Sequence, residues 1–456
     1  MIADLKPYSE YKESDLPWLG QVPRHWEIKR TKSSVANIVE QTTQMGCSDV
    51  YVALENIASW TGRARPQQGR NLFSGQVKRF CPDDVLFGKL RPYLAKVTRL
   101  QSGGVCVGEL FVLRPRDASI RSDFLEQQLR AKHTIDVVNS STFGAKMPRA
   151  DWQFLGNLPL IFPPVAEQAT IVRFLDWTNG RLDRAIWAKR KVISLLIEQK
   201  HAIIHRAVTR GLDPSVPVKP SGIPWLGDIP RHWDVLRAKC LYREVDERSP
   251  KGGEELLSVS HLTGVTPRSE KNITMFKAAS YAGHKLCRPG DLVVNTMWAW
   301  AGALGVSTHT GIVSPAYAVY RPHHPERIVG TYMDGLLCSR PYLSNIICRS
   351  TGMRASRLRL YPEEFLRLPL IHPPPEEQKR IVQTIHGETG DLNAAINRLE
   401  REIELLLEYR TRLVADIVTG KLDVRGAVAN LTEDAVPEAA TPEEDILSEA
   451  EPETVE

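Results

Sequence analysis

The stretch PWLGQVPRHWEIKR, from Pro17 to Arg30, returns as PWLGDIPRHWDVLR from Pro224 to Arg237, displaced by 207 residues. Further on, LPLIFPPVAEQATIV (Leu158 to Val172) returns as LPLIHPPPEEQKRIV (Leu368 to Val382), displaced by 210, and TRGLD (Thr209 to Asp213) is answered by TGKLD (Thr419 to Asp423) at the same offset. Matched strings in one order at nearly one offset mean that the chain is written twice. Between these anchors the copies diverge. Pro82 to Leu86 faces Pro289 to Val293, and Val112 to Pro115 faces Val319 to Pro322, but little else corresponds. Two modules therefore share a scaffold and differ in their middles.

Each module has two parts. The first is rich in Gly, Pro and short β-branched or aromatic runs such as DVYVAL, GGVCVGELFVL, DLVVN and GIVSPAYAVY. These read as short strands between turns, an α+β (mixed α/β) globule. The second part reads as one long helix. Pro163-Pro164 and Pro373-Pro374-Pro375 stand at the starts, where a missing N–H costs little. Glu167 and Glu376-Glu377 fall in the first turns, where carboxylates suit the helix dipole. Gly211 and Gly420 close the ends. The expected division is globule 1–162, helix 163–210, globule 211–372, helix 373–423 and tail 424–456.

Both helices carry a 4-3 apolar spacing. In the second it runs through Leu392, Ile396, Leu399, Ile403, Leu406, Leu413 and Ile417, with a polar residue only at 410. In the first it runs through Ile171, Leu175, Leu182, Val192, Leu196 and Ile203, with Lys189 and Gln199 as gaps. This is a coiled-coil seam. A helix of about 44 residues is roughly 66 Å long and cannot bury such a stripe alone. The spacing predicts that the two helices pair antiparallel, giving two related globules with approximate two-fold symmetry. The alternative is that each helix packs only on its own globule.

The composition bounds the partners. The 456 residues exceed one ordinary domain. No run of apolar residues is long enough to span a membrane, and the N-terminus lacks an apolar signal core, so a soluble cytoplasmic protein is expected. The last thirty residues, Ala427 to Glu456, hold ten Asp or Glu and no Lys or Arg, which leaves 59 basic against 44 acidic residues in the first 426. A basic body suggests a polyanionic partner. The acidic tail, poor in large apolar groups, reads as disordered: either a solvated solubility tail or a DNA mimic shielding the basic body. The seven cysteines are dispersed and form no CxxC pair, which argues against a disulfide framework or zinc site and reads as small buried residues.

No catalytic constellation emerges. There is no Asn-Pro-Pro-aromatic methyltransferase motif, no GxGxxG and no P-loop. Asp83-Asp84 lacks the acidic-x-Lys partner of a nuclease site and reads as a turn before a strand. His323-His324, between two prolines, reads as plain surface rather than metal ligation. What remains suits DNA. Lys89, Arg91, Tyr93 and Lys96 form a basic-aromatic strip whose odd-numbered members would share one face of an extended segment. Arg can bond guanine bidentately, while Lys suits phosphate. Lys146 and Arg149 precede the first helix, and Arg354, Arg357 and Arg359 hold that place in the second copy. Trp298 and Trp300 read as core. The Arg-His-Trp triplets, Arg24 to Trp26 and Arg231 to Trp233, stand in both modules and read as scaffold.

In these strings, together with PDDVLFGKLRPYLAKV (Pro82 to Val97), STFGAKMPR (Ser141 to Arg149) and STGMRASRLR (Ser350 to Arg359), residues 1 to about 425 resemble the specificity subunits of type I restriction-modification enzymes. The resemblance implies that the globules are target recognition domains for a bipartite, gapped site on double-stranded DNA, and that the helices are the family's spacers. It implies two copies of an adenine-N6 methyltransferase subunit as partners, with nuclease/translocase subunits joining them. S-adenosylmethionine would be held by the methyltransferase partner, with no cofactor, no metal and no catalytic residue in this chain. The second copy departs from the pattern, with VVNTMWAWAGALGV (Val293 to Val306) in place of VLFGKLRPYLAKV. The rival readings are a coiled-coil scaffold that binds no DNA, which would not need basic loops in the divergent regions, and a fused nuclease or methyltransferase, which would need the missing motifs.

Overall fold

A computed structural model describes residues 5–69, 73, 75–144, 147–261, 263–270, 280–352, 358–429 and 431. The chain forms two compact units, one from Met1–Lys189 with Arg401–Glu456 and the other from Arg190–Glu400.

The first unit is organised by an antiparallel sheet of β1 (Val35–Ile38), β2 (Val85–Gly88), β3 (Val97–Arg99) and β4 (Leu110–Pro115), in the order β1-β4-β2-β3. β2 is buried along its whole length, and accordingly reads as a continuous apolar run rather than an alternating one. The helices Ser122–Arg130 and Lys132–Ser140 cover the sheet, placing Leu125, Leu129, Ile135 and Val138 in one core with Val85, Phe87 and Phe111. A second sheet joins Gln41–Thr42, Val77–Phe80, Gly104–Cys106 and Val50–Val52. Its parallel pairing at Val50 needs Gly104, because a Cβ there would lie 2.0 Å from the Val50 carbonyl oxygen.

The second unit repeats the first sheet. β5 (Tyr242–Glu244), β6 (Leu292–Val294), β7 (Leu304–Val306) and β8 (Ala318–Pro322) stand in the order β5-β8-β6-β7, again antiparallel. The turn before the equivalent strands is also repeated. Asp84 is buried and takes a two-pronged bond from Arg114, both contacts 2.7 Å, and Asp291 takes the same from Arg321 at 2.8 and 2.9 Å. Each carboxylate also accepts the N–H three residues before it, from Cys81 and Arg288. Asp83 and Gly290 occupy the left-handed position of that turn, with φ of 66° and 89°. The aspartates therefore close a turn and lock a strand, as their sequence context predicts.

Two long helices follow the sheets, α1 (Val165–Arg210) and α2 (Pro375–Val418). Each belongs partly to one unit and partly to the other. In the first unit Asp183 of α1 pairs with Arg410 of α2, and Lys189 pairs with Glu402. In the second, Lys200 bonds Asn393 at 2.9 Å and Arg206 lies 3.8 Å from Glu388. Partner numbers fall on α2 as they rise on α1. Leu175, Leu182, Ile396, Leu413 and Ile417 are buried, while Leu196, Ile203, Leu392, Leu399, Ile403 and Leu406 are half-buried. Val192 departs from the expected seam at 45% exposure, and Ile193 is covered in its place. The line Leu175, Leu182, Lys189, Leu196, Ile203 keeps its seven-residue step, but its companion line moves to Ile186, Ile193 and Lys200. A straight helix drifts by about 20° per heptad against a 3.5-residue repeat, so the covered stripe passes to the next residue.

Candidate nucleic-acid interface

The tip of the β2–β3 hairpin carries Lys89, Arg91, Tyr93 and Lys96. It is not the extended strip that alternation predicts. Pro92 starts a single 3-10 turn, Pro92–Leu94, flanked by Arg91 and Ala95 in left-handed backbone with φ of 50° and 47°. The odd-numbered residues therefore share no strand face. Two of the three cations are tied inward. Lys96 donates to the Leu54 carbonyl at 2.8 Å. Lys89 donates to the Gly108 carbonyl at 2.6 Å and lies 4.9 Å above the Phe111 ring. Beside it the buried Lys78 is lowered to about 8, by burial first and then by the charge of Lys89. Arg91 and Tyr93 remain available. The Arg91 guanidinium has no partner among the described residues, and Tyr93 is 45% exposed.

A second loop leans on this tip. The Ala150 N–H donates to the Lys89 carbonyl at 2.9 Å, and the Arg91 N–H donates to the Pro148 carbonyl at 2.8 Å. Arg149 bridges back to Phe143 and its exposed side chain meets Glu109 at 3.0 Å. The sequence-predicted Arg91 and Arg149 thus come together, although 58 positions separate them in the chain. Lys146 lies outside the described residues.

The second unit builds the same pedestal from different side chains. The Leu360 N–H donates to the Thr296 carbonyl at 2.9 Å, as Ala150 does to Lys89. Arg359 exchanges two backbone bonds with Thr351, as Arg149 bridges Phe143. Its exposed guanidinium sits 5.4 Å from the Tyr361 ring. Arg354 and Arg357 lie outside the described residues. The tip holds Met297, Trp298 and Trp300 where the first unit holds cations. The two indoles are half-buried and stack on each other at 5.5 Å, so they do not belong to the core as expected. Ala299 between them takes that place.

In each unit the histidine of the Arg-His-Trp triplet is anchored on a glutamate of the long helix. Glu167 accepts from the Tyr8 hydroxyl at 2.5 Å, the His25 ring at 2.8 Å and the Trp26 indole at 3.1 Å. In the second unit His232 meets Glu377 at 2.7 Å, but the buried Trp233 indole N–H has no partner among the described residues. The neighbouring Gln168 and Gln378, both fully buried, hold equivalent loops. Gln168 accepts the Arg121 N–H and donates to the Ser119 and Pro163 carbonyls, while Gln378 accepts the Val329 N–H and donates to Arg327 and Pro373. Sequence reasoning assigned the glutamates only to the helix dipole. The repeated Glu-Gln pair after each Pro-Pro was the signal for this second role.

Among the described residues no group of His, Cys, Asp and Glu could hold a metal ion. His324 meets Glu326 at the surface, and His323 faces the Lys239 carbonyl. Of the cysteines, Cys106 and Cys287 are buried, but Cys47, Cys81, Cys240 and Cys348 are exposed, so the buried reading holds for only some of them. No helix among the described residues is long and apolar enough to cross a membrane.

Known proteins resemble parts of this chain. The chain is 25% identical over 178 residues to the specificity subunit of the type I restriction enzyme EcoDI from Escherichia coli, a match covering 38% of each protein. It is 27% identical over 179 residues to the EcoEI specificity subunit of the same organism, covering 37% of this chain and 30% of that one. The chain is a relative of the type I restriction-enzyme specificity subunits. The match spans well under half the length of either of these specificity subunits. No family model matches. A solved chain, from work on complex assembly and conformational transition of the type I restriction-modification system, shares the fold of this chain. It superposes with a TM-score of 0.58 at 17% identity, covering 88% of this chain and 99% of that one.

Proposed function

We propose that this chain is the specificity subunit of a type I restriction-modification complex. Each unit reads one half of a gapped target on double-stranded DNA. The observation that carries the reading is the repeated pedestal. Matching backbone bonds hold Lys89 and Arg149 in one unit and Thr296 and Arg359 in the other, and the tips so framed carry Arg91 in the first and Trp298 in the second. A constant frame with unlike tips is what two readers of unlike half-sites require.

The helices α1 and α2 pair antiparallel as the spacer, giving approximate two-fold symmetry and a fixed gap. The falling partner numbers and the seam residues covered in both units support this. The chain works in the cytoplasm without catalytic residues of its own. It positions two copies of an adenine-N6 methyltransferase subunit, which hold S-adenosylmethionine, and nuclease/translocase subunits join them. The acidic end of the chain, expected as a disordered tail, lies outside the described residues beyond 431.

Exchanging residues 30–160 for the corresponding segment of a relative tests the reading. Sequencing of methylated adenines is expected to show one half-site changed and the other kept. Alteration of both halves would overturn the two-reader scheme.

A further inference from the structure

Large apolar side chains in the first unit are mostly interior: Phe80, Phe87, Phe124 and Phe174 are fully buried. Phe143 and Met147 are not, at 64% and 54% exposure. Single exposed apolar residues are ordinary, but two on one loop, bonded to the hairpin tip that carries the exposed Tyr93, form a cluster that asks for a partner.

The loop is tied at its base. Arg149 donates its N–H to the Phe143 carbonyl at 3.2 Å, and Pro148 and Ala150 bond the hairpin tip. Gly144 has φ of +93°, and a Cβ there would stand 3.1 Å from the Met147 carbonyl oxygen, so the turn between the two side chains calls for glycine. Two guanidinium groups belong to residues tied to the base of this loop, Arg149 through Phe143 and Arg91 through Pro148. That of Arg91 is unpaired among the described residues, and that of Arg149 is held only by an exposed contact to Glu109. An exposed ion pair is weak and exchanges readily for a phosphate.

We propose that Phe143 and Met147 act as an apolar wedge that enters a base step of the DNA half-site read by the first unit and unstacks it, while Arg91 and Arg149 hold the phosphates on either side. The inference rests on the DNA reading proposed above. Charge selects the occupant: apolar side chains framed by cations match a base step framed by phosphates. Among the described residues the wedge belongs to the first unit. Gly352 follows Ser350-Thr351 where Phe143 follows Ser141-Thr142, so the second unit has no counterpart at this position. Deformation is therefore confined to one half-site, and specificity arises there at a step that stacks weakly.

The experiment uses the full chain. Wild type first selects a duplex from a randomised library, and 2-aminopurine is then placed at each step of that duplex. A fluorescence rise is expected at one step, in one half-site. In F143A/M147A the rise is expected to vanish and affinity to fall roughly ten-fold, as for one lost contact. F143L is expected to restore part of the rise. R91A is expected to weaken binding but keep the rise at saturation, which separates wedging from phosphate holding. Both wedge side chains are exposed, so folding is checked simply by an unchanged circular dichroism spectrum. A selected duplex without any rise, or a double variant with wild-type rise and affinity, overturns the wedge alone and points to a protein partner for the cluster. Failure of wild type to select any duplex overturns the DNA reading itself.

Discussion

Glu167 and Glu377 occupy matching places in the two copies, yet their removal is expected to have unequal effects. Glu167 accepts from Tyr8, His25 and Trp26, and its side chain is 6% exposed. In Glu167→Ala the buried Tyr8 hydroxyl and Trp26 indole lose their acceptor, while His25, at 41% exposure, turns to water. Each buried donor left unsatisfied costs about 1–3 kcal/mol. Two give about 4 kcal/mol, lessened to about 3 because the buried carboxylate no longer has to be desolvated. Among the described residues the Glu377 side chain bonds only His232, whose side chain is 45% exposed, so Glu377→Ala is expected to cost about 1 kcal/mol or less. Urea unfolding of the full chain, followed by hydrogen exchange near Trp26 and near Trp233, reads both losses and assigns each to its unit. The expected difference between the variants is about 2 kcal/mol. Equal losses, or a loss below about 1 kcal/mol for Glu167→Ala, would refute the argument that Glu167 carries the triplet by accepting buried donors.

Arg91→Ala and Arg149→Ala are each expected to weaken binding to the target duplex by about 1–3 kcal/mol if the side chain reads a guanine, whereas a phosphate contact would weaken all sequences alike and flatten the salt dependence. Unchanged affinity at fixed salt in both variants would return them to the solvated face. Burial raises the Asp334 carboxyl to about 7, against the pull of the Val306 N–H it accepts. Its folded value lies above the unfolded one near 4, so stability is lost as pH rises from about 4 through 7, by up to about 4 kcal/mol. Asp334→Asn is expected to flatten that slope in chemical denaturation at pH 5 to 8, and an unchanged slope would assign it to other groups. Deleting seven residues from both α1 and α2 keeps the heptad phase and shortens a paired spacer by about 10 Å, or up to about three base pairs of gap. Three pairs also turn one half-site by about 100°, so loss of binding is a second expected result. A variant that methylates at the original gap would show that the helices do not set the spacing.

Much of this molecule was legible without coordinates because its information is periodic. A displacement of 207 to 210 residues marks the duplication, and 4-3 spacing marks both long helices, whose observed limits fall within a few residues of those expected. The turn aspartates were readable for a similar reason, since their partners begin within three residues. The candidate site was legible only as composition. Arg91 and Arg149 stood out as loop cations, but the backbone that joins their loops is a long-range contact with no local trace.

Position in sequence alone therefore decided the twofold plan, the two helices and the residue types offered at each tip. The tertiary structure decided which side chains are free. Lys89 and Lys96 are spent on carbonyl oxygens, and the strip that alternation would have made a strand is turned by Pro92. It also moved the helix seam from Val192 to Ile193. The physical reason is common to these cases. Local pattern states which residues favour a helix, a strand or a cation-rich loop, but burial and hydrogen bonding depend on what the rest of the chain brings alongside, and a helical drift of about 20° per heptad or one left-handed residue is enough to change the face presented.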